Sequence, residues 1–108
     1  MDVNLKCAHL ERANLTGAYL QGSNLSGAHL QYSILIDARL EGANLTKAHL
    51  EGANLANATH EHAIVEGAIF DHRTILASDW DKLPPEKKYE HRRKFYDRGA
   101  RHVNDPYW

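Results

Sequence analysis

The sequence is poor in the features that cross-link a protein or place it in a membrane. Cys7 is its one cysteine, so no disulfide can form within the chain and an oxidising compartment is not indicated. No apolar run approaches the roughly 20 residues that span a bilayer, and residues 1–6 lack the apolar core of a signal peptide. We therefore expect a soluble, cytoplasmic protein that does not bind membranes.

Aromatic residues are also scarce, at 8% of the chain, although 43% of the residues are hydrophobic. A core must then be filled mainly by alanine and leucine, and 108 residues suffice for one domain. Charge is unevenly distributed, because residues 1–81 hold 5 Lys+Arg against 10 Asp+Glu, whereas residues 82–108 hold 8 against 4. The chain is an acidic body of net charge −5 followed by a basic tail of net charge +4.

A five-residue repeat dominates the acidic body. Leucine occupies every fifth position from Leu5 to Leu55, eleven times in succession. The same series then continues with other large residues, namely His60, Val65, Phe70, Ile75 and Trp80. A small residue stands two positions before nearly every member, with Val3 and Arg73 as the exceptions. The unit A-x-L-x-x is therefore repeated sixteen times across residues 3–82.

A period of five fits neither a regular helix nor a flat strand. On an α-helix the leucines would spiral around all sides, and on a strand successive leucines would point to opposite faces. The pattern is explained if each A-x-L is a short extended segment with its first and third side chains inward, and if the next two residues form a corner. Glycine often occupies the second corner position, where it allows positive φ: Gly17, Gly22, Gly27, Gly42, Gly52 and Gly67.

The sequence resembles the pentapeptide-repeat family, whose consensus is A-(D/N)-L-x-x. Residues 13–17, 43–47 and 53–57 match that consensus outright. The resemblance implies an all-β solenoid, a right-handed quadrilateral β-helix with 20 residues in each coil and about four coils over residues 3–82. It also suggests a bacterial source. Arg73 stands in an alanine position and cannot enter the interior without burying its charge, so we expect the last coil to distort there.

Residues that lie 20 apart should stack in columns on the walls of such a β-helix. His9, His29 and His49 form one outward column, which could be drawn as a metal site. A solvent-facing ladder is the favoured interpretation, because zinc needs three or four converging ligands and a parallel ladder holds side chains apart. We predict no metal and no cofactor.

Two further surfaces are candidates for binding. An apolar set on one wall is predicted to be covered by the C-terminal tail or, alternatively, by an external protein: Ile34, Ile36, Ala56 and Leu76. An acidic column on another wall, predicted to be solvated or to meet a basic partner, consists of Glu41, Glu61 and Asp81.

The two ends of the solenoid differ. The N-terminal coil leaves leucines with one open side, and we expect two chains to pack coil-on-coil there through Leu5, Leu10, Leu15 and Leu20. After Asp81 the repeat stops, and residues 83–108 are predicted to form a C-terminal tail. Pro85 at a first helical position and Gly99 as a terminator predict a helix over about 85–98 that caps the open end.

These features predict a non-enzymatic structural or interaction module that presents flat walls to a protein partner. No nucleophile–base pair, phosphate loop or Cys/His cluster with ligand spacing is found in the sequence. The alternative comes from the resemblance, because some members of the family mimic DNA, bind DNA gyrase and protect it from quinolones. Nucleic acid itself is not expected to bind. The chain could also be a fragment or a small partner of a larger assembly.

Overall fold

The structure is a computed structural model that describes residues 3–77 and 80–102, with the side chains of Arg101 and His102 left aside. Its regular elements are strand β1 (Ile69–Phe70), a 3-10 helix (Trp80–Lys82), helix α1 (Pro85–Tyr96) and strand β2 (Arg101–His102). The other pairings between coils are single parallel β-bridges. Residues 1–2, 78–79 and 103–108, the last of which belong to the predicted tail, lie outside the described residues.

The bridges connect each unit to the unit 20 residues later. Asn4 pairs with Asn24 and Asn24 with Asn44, and the same step recurs on each side of the coil. The Leu5 amide donates to the Asn24 carbonyl at 2.7 Å, and the Asn24 amide donates to the Val3 carbonyl at 2.8 Å. A two-residue turn separates successive bridges, so each coil of 20 residues has four turns. The chain is therefore a β-helix with vertical columns.

Each regular turn from residues 6–7 to residues 66–67 bends through one residue in the left-handed region. The second turn residue has positive φ whether it is glycine, as at Gly17 (68°), or another residue, as at Cys7 (57°) or Lys47 (58°). Such a conformation costs a non-glycine residue about 1 kcal/mol or more. The backbone bonds between coils therefore hold several side-chain-bearing residues in a conformation that glycine adopts freely.

Alanine and leucine fill the interior, as the five-residue period predicts. Leu35 is fully buried, Leu55 is nearly so, and Leu15 is packed against the same core from the first coil. In each A-x-L unit the side chains of the first and third residues point inward and that of the middle residue points outward, since side chains alternate along an extended segment. At roughly 25 cal/mol per Å² of apolar surface removed from water, this continuous shaft is the main source of stability.

The five-residue register fails after Phe70. Asn54 pairs with Ile75, 21 residues later, and not with Thr74. Thr74 and Leu76 are consequently buried while Ile75 takes the outward place. The prediction that Leu76 lies on the outer wall is wrong, and so is the inward place given to Ile75, because one additional residue enters the turn. Arg73 is thereby kept out of the interior: its side chain is 53% exposed and its guanidinium bonds to Asp71.

Asp71 stabilises this enlarged turn. Its side-chain Oδ1 accepts a hydrogen bond from the Gly52 amide at 3.0 Å, where a regular turn would use a backbone carbonyl. Arg73 donates to Asp71 Oδ2 at 2.7 Å, and the Thr74 hydroxyl donates to the Leu50 carbonyl at 2.9 Å. Burial alone would raise the pKa of Asp71, but the hydrogen bonds from Arg73 and Gly52 outweigh it and lower that pKa.

Helix α1 lies against the last coil. It begins at Pro85, as predicted, but ends at Tyr96 and not at residue 98, because the Ala100 amide turns back to the Phe95 carbonyl and Gly99 has φ 92°. The chain then returns to the β-helix, where β2 pairs in parallel with β1 through Ile69↔Arg101 and Phe70↔His102. Over the described ranges, we find no helix that is long and apolar enough to cross a bilayer.

Candidate functional site

The histidine column forms a stacked ladder on one wall. The His9 and His29 rings are 4.8 Å apart at 8°, and the His29 and His49 rings are 4.8 Å apart at 2°. Glu11 lies 3.6 Å from His9 Nδ1; a hydrogen bond from its own backbone, and then His9, lower the pKa of Glu11. Within residues 3–77 and 80–102, no three histidine, cysteine or carboxylate side chains converge as a metal ion requires.

The apolar surface predicted on the next wall retains three of its four residues. Ile34 is 36% exposed, Ile36 is half-buried and Ala56 is buried. Leu76, in contrast, belongs to the core. We use the name apolar surface for Ile34, Ile36 and Ala56. An open cavity of about 430 Å³ adjoins it. The cavity is lined by Ile36, Asn54, Ala56, Ile75, Trp80, Asp81 and Lys82.

The acidic column is shorter than predicted. The Gly22 amide donates to the Glu41 carbonyl and the Gly42 amide to the Glu61 carbonyl, so these two residues follow the vertical repeat. Asp81 lies in the 3-10 helix and lines the cavity beside Ile36, so it does not extend the column. Its predicted place there is wrong because the regular coil stops before it. A hydrogen bond from the Thr59 hydroxyl is the main cause that lowers the pKa of Glu41.

Two arginine residues contact the Tyr32 ring, Arg12 from the preceding coil and Arg73 from two coils further along the chain. The Arg12 guanidinium lies 5.1 Å and the Arg73 guanidinium 5.0 Å from the ring centroid, within cation–π range. Below the ring lies Gly52, where a Cβ atom would come within 2.6 Å of the ring carbons. Sequence reasoning missed this cluster, although the spacing of 20 between Tyr32 and Gly52 is a readable signal.

The N-terminal coil is open on one side. Leu5, Leu10 and Leu15 are half-buried, whereas Leu20 is 6% exposed. Within the described part of the chain, the backbone amides and carbonyls of His9 and Asn14 have no partner in the ladder. Within the described residues, this side of the first coil therefore presents partly exposed apolar side chains and unpaired backbone groups, a combination that can pair with another β-strand.

Helix α1 contacts the C-terminal part of the β-helix through Phe95. Phe95 is buried, with its ring centroid 4.6 Å from that of His60 and 5.1 Å from that of Phe70. Arg98 Nη2 lies 3.0 Å from His60 Nδ1. Arg98 Nη1 donates to the carbonyls of His60 at 3.2 Å and Ala63 at 3.4 Å. Arg98 follows α1, and its contact with His60 was not predicted from the sequence.

Comparison with protein-family models gives a match to pentapeptide repeats, in eight copies, over residues 2–31 and 33–71. The match ends at Asp71, where the register of the ladder changes. No curated protein is similar enough to the chain to count as a match.

Solved structures of other proteins are similar to this chain, and two of them illustrate the likeness. One is a pentapeptide repeat protein (Rfr23) from the cyanobacterium Cyanothece 51142, with 35% identity, a TM-score of 0.50, and coverage of 67% of this chain and 52% of that one. The other is a pentapeptide repeat protein from the Arabidopsis thaliana thylakoid lumen, with 25% identity, a TM-score of 0.58, and coverage of 96% and 77%. This chain therefore spans about half the length of the cyanobacterial protein.

Proposed function

Because this chain belongs to the pentapeptide-repeat family, a family of right-handed β-helices, we propose that it is a non-enzymatic interaction module. In this proposal a quadrilateral β-helix of about four coils is closed at its C-terminal end by α1 and binds a protein partner through one wall. The wall we propose is the one that carries the apolar surface.

The apolar surface is the observation that carries the proposal. Middle positions elsewhere on the walls hold mostly polar residues, whereas Ile34 exposes 36% of its surface beside Ile36 and Ala56. The adjoining cavity adds Ile75 and Trp80, with Asp81 and Lys82 at its polar part. An apolar centre with a charged margin is the composition of protein interfaces. The 3-10 helix Trp80–Lys82 approaches this wall.

A non-enzymatic role is supported by the absence of an enclosed reactive site. Alanine and leucine fill the shaft, so the described coils have no interior space for a substrate. The histidine with a lowered pKa, His60, contacts Arg98 and Phe95 and has no nucleophile among those neighbours. A general base needs a proton to abstract within hydrogen-bond reach.

Affinity capture from an extract of the source organism tests the proposal. We expect wild-type protein to retain a protein partner that the Ile36→Lys variant loses. Ile64→Lys is the matched control, since Ile64 is 49% exposed and lies on a different wall. Loss of the partner in both variants, or in neither, would contradict the proposed surface.

DNA mimicry toward DNA gyrase is the second candidate. It is favoured by the net charge of −5 over residues 1–81 and by the column of Glu41 and Glu61. The basic α1 and the small number of coils oppose it. A supercoiling assay separates the two candidates: inhibition of gyrase by the wild-type protein, relieved by Glu41→Gln and Glu61→Gln together, would favour mimicry over the proposed wall.

We also propose a homodimer formed through the N-terminal coil. Two coils that meet head to head run in opposite directions, so their free edges at His9 and Asn14 can pair while Leu5, Leu10 and Leu15 become buried. Sedimentation at micromolar concentration should give a dimer that Leu10→Lys converts to a monomer. A wild-type monomer at that concentration would refute the dimer. A cytoplasmic location in a bacterium remains our prediction.

A further inference from the structure

Arg98 and His60 form a contact that requires one protonation state of the histidine. Arg98 Nη2 lies 3.0 Å from His60 Nδ1. Guanidinium nitrogens carry only donors and stay charged in proteins. The contact is therefore a hydrogen bond only when Nδ1 has no proton and accepts. A protonated imidazole would place two donors and two positive charges against each other.

We propose that His60 is a proton-operated latch, which holds α1 against the end of the β-helix when neutral and releases it when protonated. The latch joins His60, on a coil of the β-helix, to Arg98, which follows α1. The same Arg98 side chain also donates to the His60 and Ala63 carbonyls, so its displacement would break three contacts together.

His60 lies between positive groups of the C-terminal segment and negative groups of the coils. Arg98 and Lys94 face it from the C-terminal segment and disfavour a proton, whereas Glu61 and Glu41 on the coils favour one. Burial is the largest cause that lowers the pKa of His60, and Arg98 comes next. The neutral form is thus the one that the docked arrangement stabilises.

The sign of the pH dependence follows from this lowered pKa. When α1 is released, His60 regains its ordinary pKa of about 6.5 and binds a proton more readily than in the docked state. Docking is therefore fully stable above about pH 6.5 and weakens as the pH falls through the lowered pKa of the docked state. Between these two pKa values, release should increase by about tenfold for each pH unit.

Release would uncover the end of the shaft. Phe70 loses the Phe95 ring that lies 5.1 Å away, and the Gly67 amide loses the Gly99 carbonyl at 2.8 Å. An apolar residue and a free β-edge would then become accessible together. The latch is independent of the partner proposed for the apolar surface, so either proposal can fail without the other.

Amide hydrogen exchange of the full chain, followed by NMR and corrected for intrinsic rates, tests the latch. From about pH 7.5 to about pH 5, where histidine titrates, protection of the Gly67 amide should fall. The Leu30 amide, which donates to the His49 carbonyl far from α1, should keep its protection. A parallel loss at Leu30 would indicate global unfolding and would overturn the latch.

His60→Gln is the matched variant, because the glutamine carbonyl can accept from Arg98 but carries no titratable proton. In this variant Gly67 protection should be independent of pH over the same range. An unchanged pH dependence would assign it to another group and refute the proposal. Titration of the His60 ring in the wild-type chain gives a second test that needs no variant: a pKa at or above its ordinary value would also refute it.

Discussion

The regular coils and the C-terminal end of this molecule reach the same parallel pairing by different means. Over residues 3–71 each unit repeats one bond pattern, in which backbone amides donate to carbonyls of the adjacent coil. Beyond Asp71, individual side chains replace that pattern: Asp71 accepts from Gly52, and Arg98 contacts His60. The repeat tolerates changes of sequence because its hydrogen bonds join backbone groups, whereas the C-terminal end depends on particular side chains.

Removing one residue from a turn is the strongest test of this contrast. Deleting Arg73 restores the five-residue spacing between Phe70 and Leu76, so we expect the chain to fold with a loss below about 2 kcal/mol. Deleting Lys47 leaves one residue where a regular turn uses two, and we expect a loss above about 4 kcal/mol, or no folding. Urea denaturation followed by circular dichroism measures both. Equal losses would show that the enlarged turn is not a discrete insertion.

Truncating leucines compares the interior with the open end. Leu35→Ala should cost about 3 kcal/mol of unfolding free energy, because Leu35 is fully buried and its removal leaves a cavity. Leu5→Ala should cost about 1 kcal/mol, since Leu5 is half-buried and part of its surface already meets water. Denaturant titration of both variants gives the values. A loss at Leu5 as large as that at Leu35 would mean that the end is covered in solution, as in the proposed dimer.

Asp71 should make the enlarged turn sensitive to acid. Its pKa is lowered in the folded chain, so its stabilisation is present above the ordinary pKa of about 3.9 and is lost as the pH falls through the folded value. Asp71→Asn should cost about 1.5–3 kcal/mol at neutral pH, the usual contribution of hydrogen bonds to a charged group. The difference from wild type should shrink below about pH 4. A difference in unfolding free energy that does not change with pH would show that the charge of Asp71 is not its cause.

The smallest effect is expected on the exposed face of α1. Lys87 and Glu90 form an ion pair at 3.5 Å, with more than half of each side chain exposed. Exposed pairs contribute roughly 0–1 kcal/mol, so Lys87→Ala should change stability by less than about 0.5 kcal/mol. Thermal denaturation in low and high salt measures it. A larger effect would indicate that α1 depends on its surface charges and not on Phe95.

Much of the fold could be predicted because the period is a local signal. Eleven leucines at one spacing determine which side chains point inward, and the 20-residue columns of His9, His29 and His49 followed. The additional residue in the turn after Phe70 could not be predicted from the period, although the charge of Arg73 indicated where the register would change. The error at Leu76 came from extending the period by one unit beyond Phe70.

The candidate binding surfaces were less accessible to sequence reasoning. Ile34 and Ile36 could be identified, because two isoleucines at outward positions break the polar pattern of their wall. The cavity beside them depends on Trp80, whose place is determined by a 3-10 helix and not by the repeat. The contact of His60 with Arg98 spans 38 residues and has no local signature.

The Tyr32 ring lying over Gly52 has a consequence for how such a chain can change. A bulky substitution at position 52 collides with the ring unless position 32 becomes small at the same time. Positions 32 and 52 are therefore expected to vary as a pair, one large and one small. Mutational tolerance in this protein should follow the vertical columns more closely than the order of the sequence.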